Sequence, residues 1–212
     1  LENPDIEIFA LLTGEVCAGG ITAADVDTRS FSEREPSRRP VFHPSTLPPK
    51  LARCMVNLAR TPRGGLFLDP FCGVGGILIE AALIGARVIG VDKDPRMVEG
   101  AKRNLEWAGV KSFEVRTGDA RELSGLSAHA IATDPPYGRQ ASTRGSELSE
   151  LYSEALPSMA DALAPHRWLC ISAPHWIELE AIAKESGLQL VEKHEQRVHS
   201  SLTRHIYVMK RK

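Results

Sequence analysis

The chain has 212 residues, of which 42% are hydrophobic and 25% charged, with a formal net charge of -1. Those values exclude a disordered, collagenous or strongly polybasic protein and leave room for one α/β domain with a short extension. No apolar run approaches the roughly eighteen residues of a membrane span, and no signal-peptide pattern opens the chain. Four cysteines, Cys17, Cys54, Cys72 and Cys170, are scattered without a CxxC pair. That spacing argues against a zinc site or a disulfide framework and fits the reducing cytoplasm. The first residue is Leu1 rather than Met, which points to part of a longer protein.

Ile6 to Leu12 and Val16 to Ile21 flank Thr13-Gly14-Glu15 and read as a hairpin, which is marginal alone and needs something to pack on. Residues 29 to 49 are rich in Pro, Arg and Ser and read as an extended linker. It ends in Phe42-His43-Pro44-Ser45-Thr46-Leu47-Pro48-Pro49, where Ser45 or Thr46 is expected to cap a helix with Leu51, Met55 and Leu58 on its apolar face. From Leu66 onward, strand and helix signals alternate. Strands are expected at Leu66 to Asp69, Arg87 to Asp92, Ser112 to Arg116, His129 to Thr133 and Trp168 to Ala173. Helices are expected at Gly76 to Ile84, Pro95 to Gly109 with Asp94 as its cap, Glu147 to Leu163 and Ile177 to Ser186. Two last strands, near Gln189 to Glu192 and Ile206 to Met209, have no helix between them and should pair antiparallel. The alternation predicts an α/β fold, a mostly parallel sheet with helices on both faces.

Leu66-Phe67-Leu68-Asp69-Pro70-Phe71-Cys72-Gly73-Val74-Gly75-Gly76 places a glycine-rich turn between a strand and a helix. Such a turn favours anions, so a dinucleotide is the first rival. Asp69, however, stands directly before the turn. A carboxylate there repels a pyrophosphate and attracts an ammonium or sulfonium group. S-adenosylmethionine carries both cations, and a carboxylate that the loop amides can hold. Gly73, Gly75 and Gly76 let the backbone come close. Asp92, ending the second strand, is placed for the ribose hydroxyls, and Asp119 in Gly118-Asp119-Ala120 for the adenine amine. Helix or turn capping is the plainer use of either carboxylate. Three acids at three successive strand ends, on the edge where α/β folds bind ligands, favour the methyl donor.

Asp134-Pro135-Pro136-Tyr137 follows the strand at His129 to Thr133 and lies on the same edge. An exocyclic amine on a base is a poor nucleophile, because its lone pair is delocalised. Hydrogen bonds from it to the Asp134 carboxylate and the Pro135 carbonyl would hold it and turn the lone pair toward a methyl group. A carboxylate near its ordinary pKa is a weak base, so proton uptake by Asp134 ranks second. The prolines fix the turn, and Tyr137 offers a face for stacking an unstacked base. Gly138 and Thr143-Arg144-Gly145 are placed to line the same cleft.

Together, Phe42-His43-Pro44-Ser45, Asp69-Pro70-Phe71-Cys72-Gly73, Asp134-Pro135-Pro136-Tyr137-Gly138 and Ser201-Leu202-Thr203-Arg204-His205 resemble the archaeal tRNA guanosine N2-methyltransferases that modify position 10. The resemblance covers residues 29 to 212. It implies a Rossmann-like class I methyltransferase domain over residues 50 to 212, with a seven-stranded sheet whose last strand is antiparallel. It implies that Asp134, Pro135, Pro136 and Tyr137 handle the guanine N2. His43, Ser45, Asp69, Phe71, Gly73, Gly75, Asp92, Asp119 and Ala120 would bind S-adenosylmethionine, with His43 to Ser45 closing over its methionine end. Val74 departs from the family pattern, where Thr or Ser is usual, and removes a hydroxyl contact. The family also carries an N-terminal THUMP RNA-binding domain. Residues 1 to 28 resemble its final strands and connection, with 29 to 49 as the linker.

Two basic clusters then become candidates for tRNA phosphates: Arg34, Arg38 and Arg39 in the linker, and Lys193, Arg197 and Arg204 near the end. Other readings share parts of this pattern. An adenine-N6 methyltransferase on RNA or DNA would use the same tetrapeptide. A protein-glutamine methyltransferase usually has Asn where Asp134 stands. A non-catalytic RNA-binding module would have no use for the acidic donor pocket.

Overall fold

The computed structural model describes residues 4–24, 27–137, 142–199 and 202–212. Gly138, Ser201 and the side chains of Thr143-Arg144-Gly145 lie outside the described residues. The chain divides into two compact units, Leu1–Glu33 and Arg34–Lys212. In the first, β1 (Ile8–Thr13) and β2 (Val16–Ile21) form the expected antiparallel hairpin, with Thr13 opposite Val16, followed by the short α1 (Arg29–Glu33). Gly14 takes the left-handed conformation, φ 50°, that the tight turn requires.

The second unit opens with a 3-10 turn at Pro36–Arg38 and continues through α2 (Pro49–Leu58), β3 (Leu66–Asp69), α3 (Gly76–Leu83), β4 (Arg87–Asp92) and α4 (Pro95–Trp107). Next come β5 (Phe113–Thr117), β6 (Ala128–Thr133), α5 (Ser142–Ala162), β7 (Leu163–Pro174), α6 (Glu180–Glu185), β8 (Leu188–His199) and β9 (Leu202–Arg211). The sheet is seven-stranded, in the order β5-β4-β3-β6-β7-β9-β8. Strands β5 to β7 are mutually parallel across β4, β3 and β6, and β9 runs antiparallel to both of its neighbours. The expected α/β class, strand directions and antiparallel last strand are all present.

Side chains alternate across a strand, so adjacent residues serve opposite faces. Phe67 packs with Met55, Leu78 and Leu105 on the side of α2, α3 and α4. Its neighbour Leu68 packs with Tyr152, Leu156 and Met159 of α5. Burial on both faces explains why the central strands read as unbroken apolar runs. Each large side chain so buried contributes roughly 1.5–3 kcal/mol.

Several local expectations change. Pro48, not Ser45 or Thr46, stands at the start of α2, because the Ser45 hydroxyl is engaged by His43 at 2.7 Å. Helix α6 starts at Glu180, after a turn closed by Ile177 N–H on the Pro174 carbonyl at 2.9 Å. Strands β8 and β9 are far longer than their apolar cores, because β8 is an edge strand. Its charged stretch from Glu192 to Arg197 faces solvent on a sheet edge, where charges are favourable. The stretch before α2 is packed rather than free. Arg39 and Leu47 are buried, and Asn104 of α4 clamps Val41 by accepting from its N–H and donating to its carbonyl, both at 2.9 Å.

Candidate active site

Strand β3 ends in a buried acid. Asp69 accepts from the Thr133 hydroxyl at 2.7 Å and from the Phe71 N–H at 3.2 Å. Burial pushes its carboxyl up to about 7, against the pull of those two hydrogen bonds. The loop that follows is turned by two left-handed glycines with different duties. Gly75, φ 83°, presses on α4, where a Cβ would lie 3.2 Å from the Ala101 Cβ. Gly73, φ 50°, has nothing within 4 Å of where a Cβ would sit and lines the open cleft. Gly75 therefore shapes the loop from behind and does not line the cleft.

Asp92, at the end of β4, accepts from the Gly73 N–H and the Asp94 N–H, both at 2.9 Å. Its carboxylate ties the glycine loop to the start of α4, where Asp94 caps as expected by accepting from the Arg96 N–H at 2.9 Å. Asp119 follows β5 and is gripped by the Arg121 guanidinium at 2.6 and 2.9 Å. That partner holds its carboxyl down at about 2. Arg121 also reaches Glu154 of α5 at 2.9 Å. His43 and Ser45 line the same cleft as these acids.

The second half of the site sits at the ends of β6 and β7. One oxygen of Asp134, Oδ1, accepts from both the Tyr137 and the Ser172 hydroxyls. The other, Oδ2, lies 3.7 Å from Nη1 of Arg204. Burial raises the Asp134 pKa, opposed by Arg204 and by the two hydroxyls. Asp134 is therefore a better proton acceptor than its type alone implies. The Arg204 guanidinium lies 5.3 Å from the centre of the Tyr137 ring. Strand β9 delivers it, since Arg204 pairs with Pro174 of β7 and Gln196 of β8.

One cleft of about 1110 Å³ joins the two halves. That exceeds the roughly 300–1,000 Å³ usual for one small ligand. It is lined by His43, Ser45, Asp69, Phe71, Gly73, Asp92, Asp119, Ala120, Asp134, Pro135, Pro136 and Tyr137. Among the described residues, every acceptor- and donor-site residue expected from sequence except Gly75 thus meets in one place. Sequence reading missed Ser172, a lone hydroxyl in an apolar strand, and Thr133, the polar end of another. It also missed the inward position of Arg204.

The other basic candidates do not behave alike. Arg38 and Arg197 are exposed. Lys193 is paired with Glu178 and Glu180 at 3.0 and 2.8 Å. Arg34 pairs with the buried Glu80 at 2.8 Å, as does Arg53 at 2.9 Å. Arg39 is buried, with its Nε donating to the Arg34 carbonyl at 2.9 Å. His129, given no role from sequence, accepts from the Leu66 N–H at 3.0 Å and braces β3 on β6.

A sheet of this order, with a glycine loop after β3 and acids ending β3 and β4, defines a Rossmann-like methyltransferase fold. The chain belongs to the RMKL-like methyltransferase domain family, whose model matches residues 36–206. It is 47% identical over 189 residues to the tRNA (guanine(10)-N2)-dimethyltransferase of Methanothermobacter thermautotrophicus, covering 89% of this chain and 56% of that protein. It is 43% identical over 213 residues to the protein of the same name from Pyrococcus abyssi, covering 99% of this chain and 63% of that one. The chain thus spans little more than half the length of these relatives. Among solved structures, TrmN from Thermus thermophilus superposes with a TM-score of 0.70 at 22% identity, over 100% of this chain and 61% of that one. The last likeness shows the fold. The first three establish the family expected from sequence.

Proposed function

We propose that this chain is the catalytic part of an S-adenosylmethionine-dependent tRNA (guanine-N2-)-methyltransferase acting at position 10. The observation that carries this reading is the Asp134 carboxylate, with Oδ1 saturated by two hydroxyls and Oδ2 beside Arg204, in the same cleft as Asp69 and Gly73. The donor fits the residues present. Asp69 is a buried acid whose ionised form a cation would stabilise. Gly73 leaves open space, and the first turn of α3 at Gly76 and Ile77 lines the same cleft with amides that suit a carboxylate. Asp69, Asp92, Asp119, Phe71, Ala120, His43 and Ser45 would hold it.

Bound there, S-adenosylmethionine supplies an electrophilic methyl group. Asp134 and the Pro135 carbonyl accept the N–H bonds of the guanine amine and free its lone pair from the ring. The Asp134 charge stabilises the nitrogen as it becomes positive, and burial fits the same carboxylate to take up the released proton. Tyr137 positions that carboxylate through its hydroxyl.

The wider assignments belong to the same reading. Residues 1 to 28 end an RNA-binding THUMP-like domain, 29 to 49 connect it, and 50 to 212 carry catalysis. Arg38 and Arg197, being exposed, are the favoured phosphate contacts. The relatives' names favour two successive methylations. A cytoplasmic location follows from the tRNA substrate. Among the described residues no helix is long and apolar enough to cross a membrane.

The test is transfer of labelled methyl from S-adenosylmethionine to unmodified tRNA, followed by nucleoside analysis. Label in N2-methylguanosine and N2,N2-dimethylguanosine is the expected outcome. Label in N6-methyladenosine, or none in any nucleoside, overturns it.

A further inference from the structure

Arg204 is an anomaly in this cleft. It is 7% exposed, yet its Nε and Nη1 have no hydrogen-bond partner among the described residues. Buried guanidinium N–H groups left unmade are costly, and nearby Asp134 does not satisfy them. The 3.7 Å between Nη1 and Oδ2 is an ion-pair distance, beyond a hydrogen bond. With Oδ1 already taken by Tyr137 and Ser172, two groups remain side by side without a hydrogen-bond partner among the described residues, the acceptor Oδ2 and the buried donor Nη1.

That pair is complementary to a donor next to an acceptor on the ligand. A phosphate fails the match, because Asp134 would repel it. The edge of guanine that carries N2 succeeds: the amine donates, and ring nitrogen N3 beside it accepts. We propose that Arg204 is a specificity-determining residue that donates to N3 of the acceptor guanine while Asp134 Oδ2 holds N2. The inference rests on the amine-methylation reading above and deepens it, since it fixes which edge of the base enters. Seated by this pair, the purine turns N7 and O6 away from Arg204. Tyr137, beside the guanidinium, keeps its plane in place by cation–π contact.

The test replaces single atoms of the substrate. tRNA transcripts carrying guanosine, 3-deazaguanosine or 7-deazaguanosine at the methylated position are compared as substrates for the wild type, Arg204→Lys and Arg204→Met. In the wild type, 3-deazaguanosine should lower kcat/KM by about ten- to a hundredfold and 7-deazaguanosine should leave it unchanged. Arg204→Met should lose a similar factor on guanosine and nothing further on 3-deazaguanosine. Arg204→Lys should retain part of the discrimination. The wild-type comparison needs no altered protein, so misfolding of a variant leaves it decisive.

Indifference of the wild type to 3-deazaguanosine overturns the proposal. So do losses that simply multiply when variant and analogue are combined, since that marks an electronic effect of the analogue. Equal losses on all transcripts with a reduced salt dependence in Arg204→Met would mark a phosphate contact instead, and also overturn it. Failure of the wild type on the guanosine transcript refutes the parent reading directly.

Discussion

The Thr133 hydroxyl donates to the Asp69 carboxylate across 2.7 Å, linking the ends of β6 and β3 inside the protein. The bond stands one residue before Asp134 and thus couples the two halves of the cleft. Asp69 titrates near 7 against an ordinary value of 3.8. A cationic donor should favour its ionised form, so donor affinity should rise with pH through about 7, with release of a proton on binding below that. Calorimetric titration at pH 6 and 8, in buffers of differing ionisation enthalpy, checks this. Asp69→Asn should bind more weakly and without the pH dependence.

The same shift makes a stability statement. Between 3.8 and about 7 the folded chain holds a proton that the unfolded chain has lost. Stability of the ligand-free protein should therefore fall as pH rises through that window and level off above it, by on the order of 4 kcal/mol in all. Asp69→Asn should flatten that part of the profile in urea unfolding.

Asp134 should govern the acid side of the activity profile. Its pKa is raised by burial and held back by Arg204, Ser172 and Tyr137. Methyl transfer should rise with pH as Asp134 ionises, with a midpoint above the ordinary carboxylate range. Ser172→Ala and Tyr137→Phe each remove a hydroxyl donor, so each should move that midpoint higher. Asp134→Ala should abolish transfer while sparing donor affinity. Transfer at near the wild-type rate would locate the acceptor site elsewhere.

Gly73→Ala and Gly75→Ala separate binding from folding. Both positions are left-handed, which costs an L residue roughly 1–2 kcal/mol. At Gly75 the new methyl also meets Ala101 at 3.2 Å, so thermal stability should suffer most there. At Gly73 it projects into open cleft, so donor affinity should fall more than stability does.

Glu80 is fully buried, with Arg34 and Arg53 upon it. It tethers the stretch before α2, and α2 itself, to α3. Glu80→Gln removes the carboxylate charge that these two partly buried guanidiniums share and should cost about 1.5–3 kcal/mol, measured by urea unfolding.

What could be read from sequence divides along physical lines. Asp69, Asp92 and Asp134 are legible because each ends or follows an apolar run, Asp119 because it follows the next strand in Gly-Asp-Ala, and strand ends in parallel sheets share one edge. Gly75 was read as a ligand contact because sequence distinguishes a glycine needed for the turn from one beside the ligand only through its neighbours. Here Ala101, distant in sequence, decides. Arg204 reads from sequence as a tRNA-phosphate contact because it sits in a basic run. Its inward placement depends on β9 threading between β7 and β8, a long-range pairing invisible to local pattern. The raised pKa of Asp134 is likewise a property of enclosure, which no spacing of residues encodes.

The strand order also sets an order of assembly. β8 precedes β9 in the chain yet lies outside it, so β8 cannot join the sheet until β9 has docked on β7. Before that moment the edge of β7, from Trp168 to Pro174, is bare and open to non-native strand pairing. The donor half, whose acids stand at the ends of β3, β4 and β5, needs no such step. An assembly intermediate would therefore hold the methyl donor's pocket without the arginine that selects the base, and the final pairing is the event that turns a binding fold into a discriminating one.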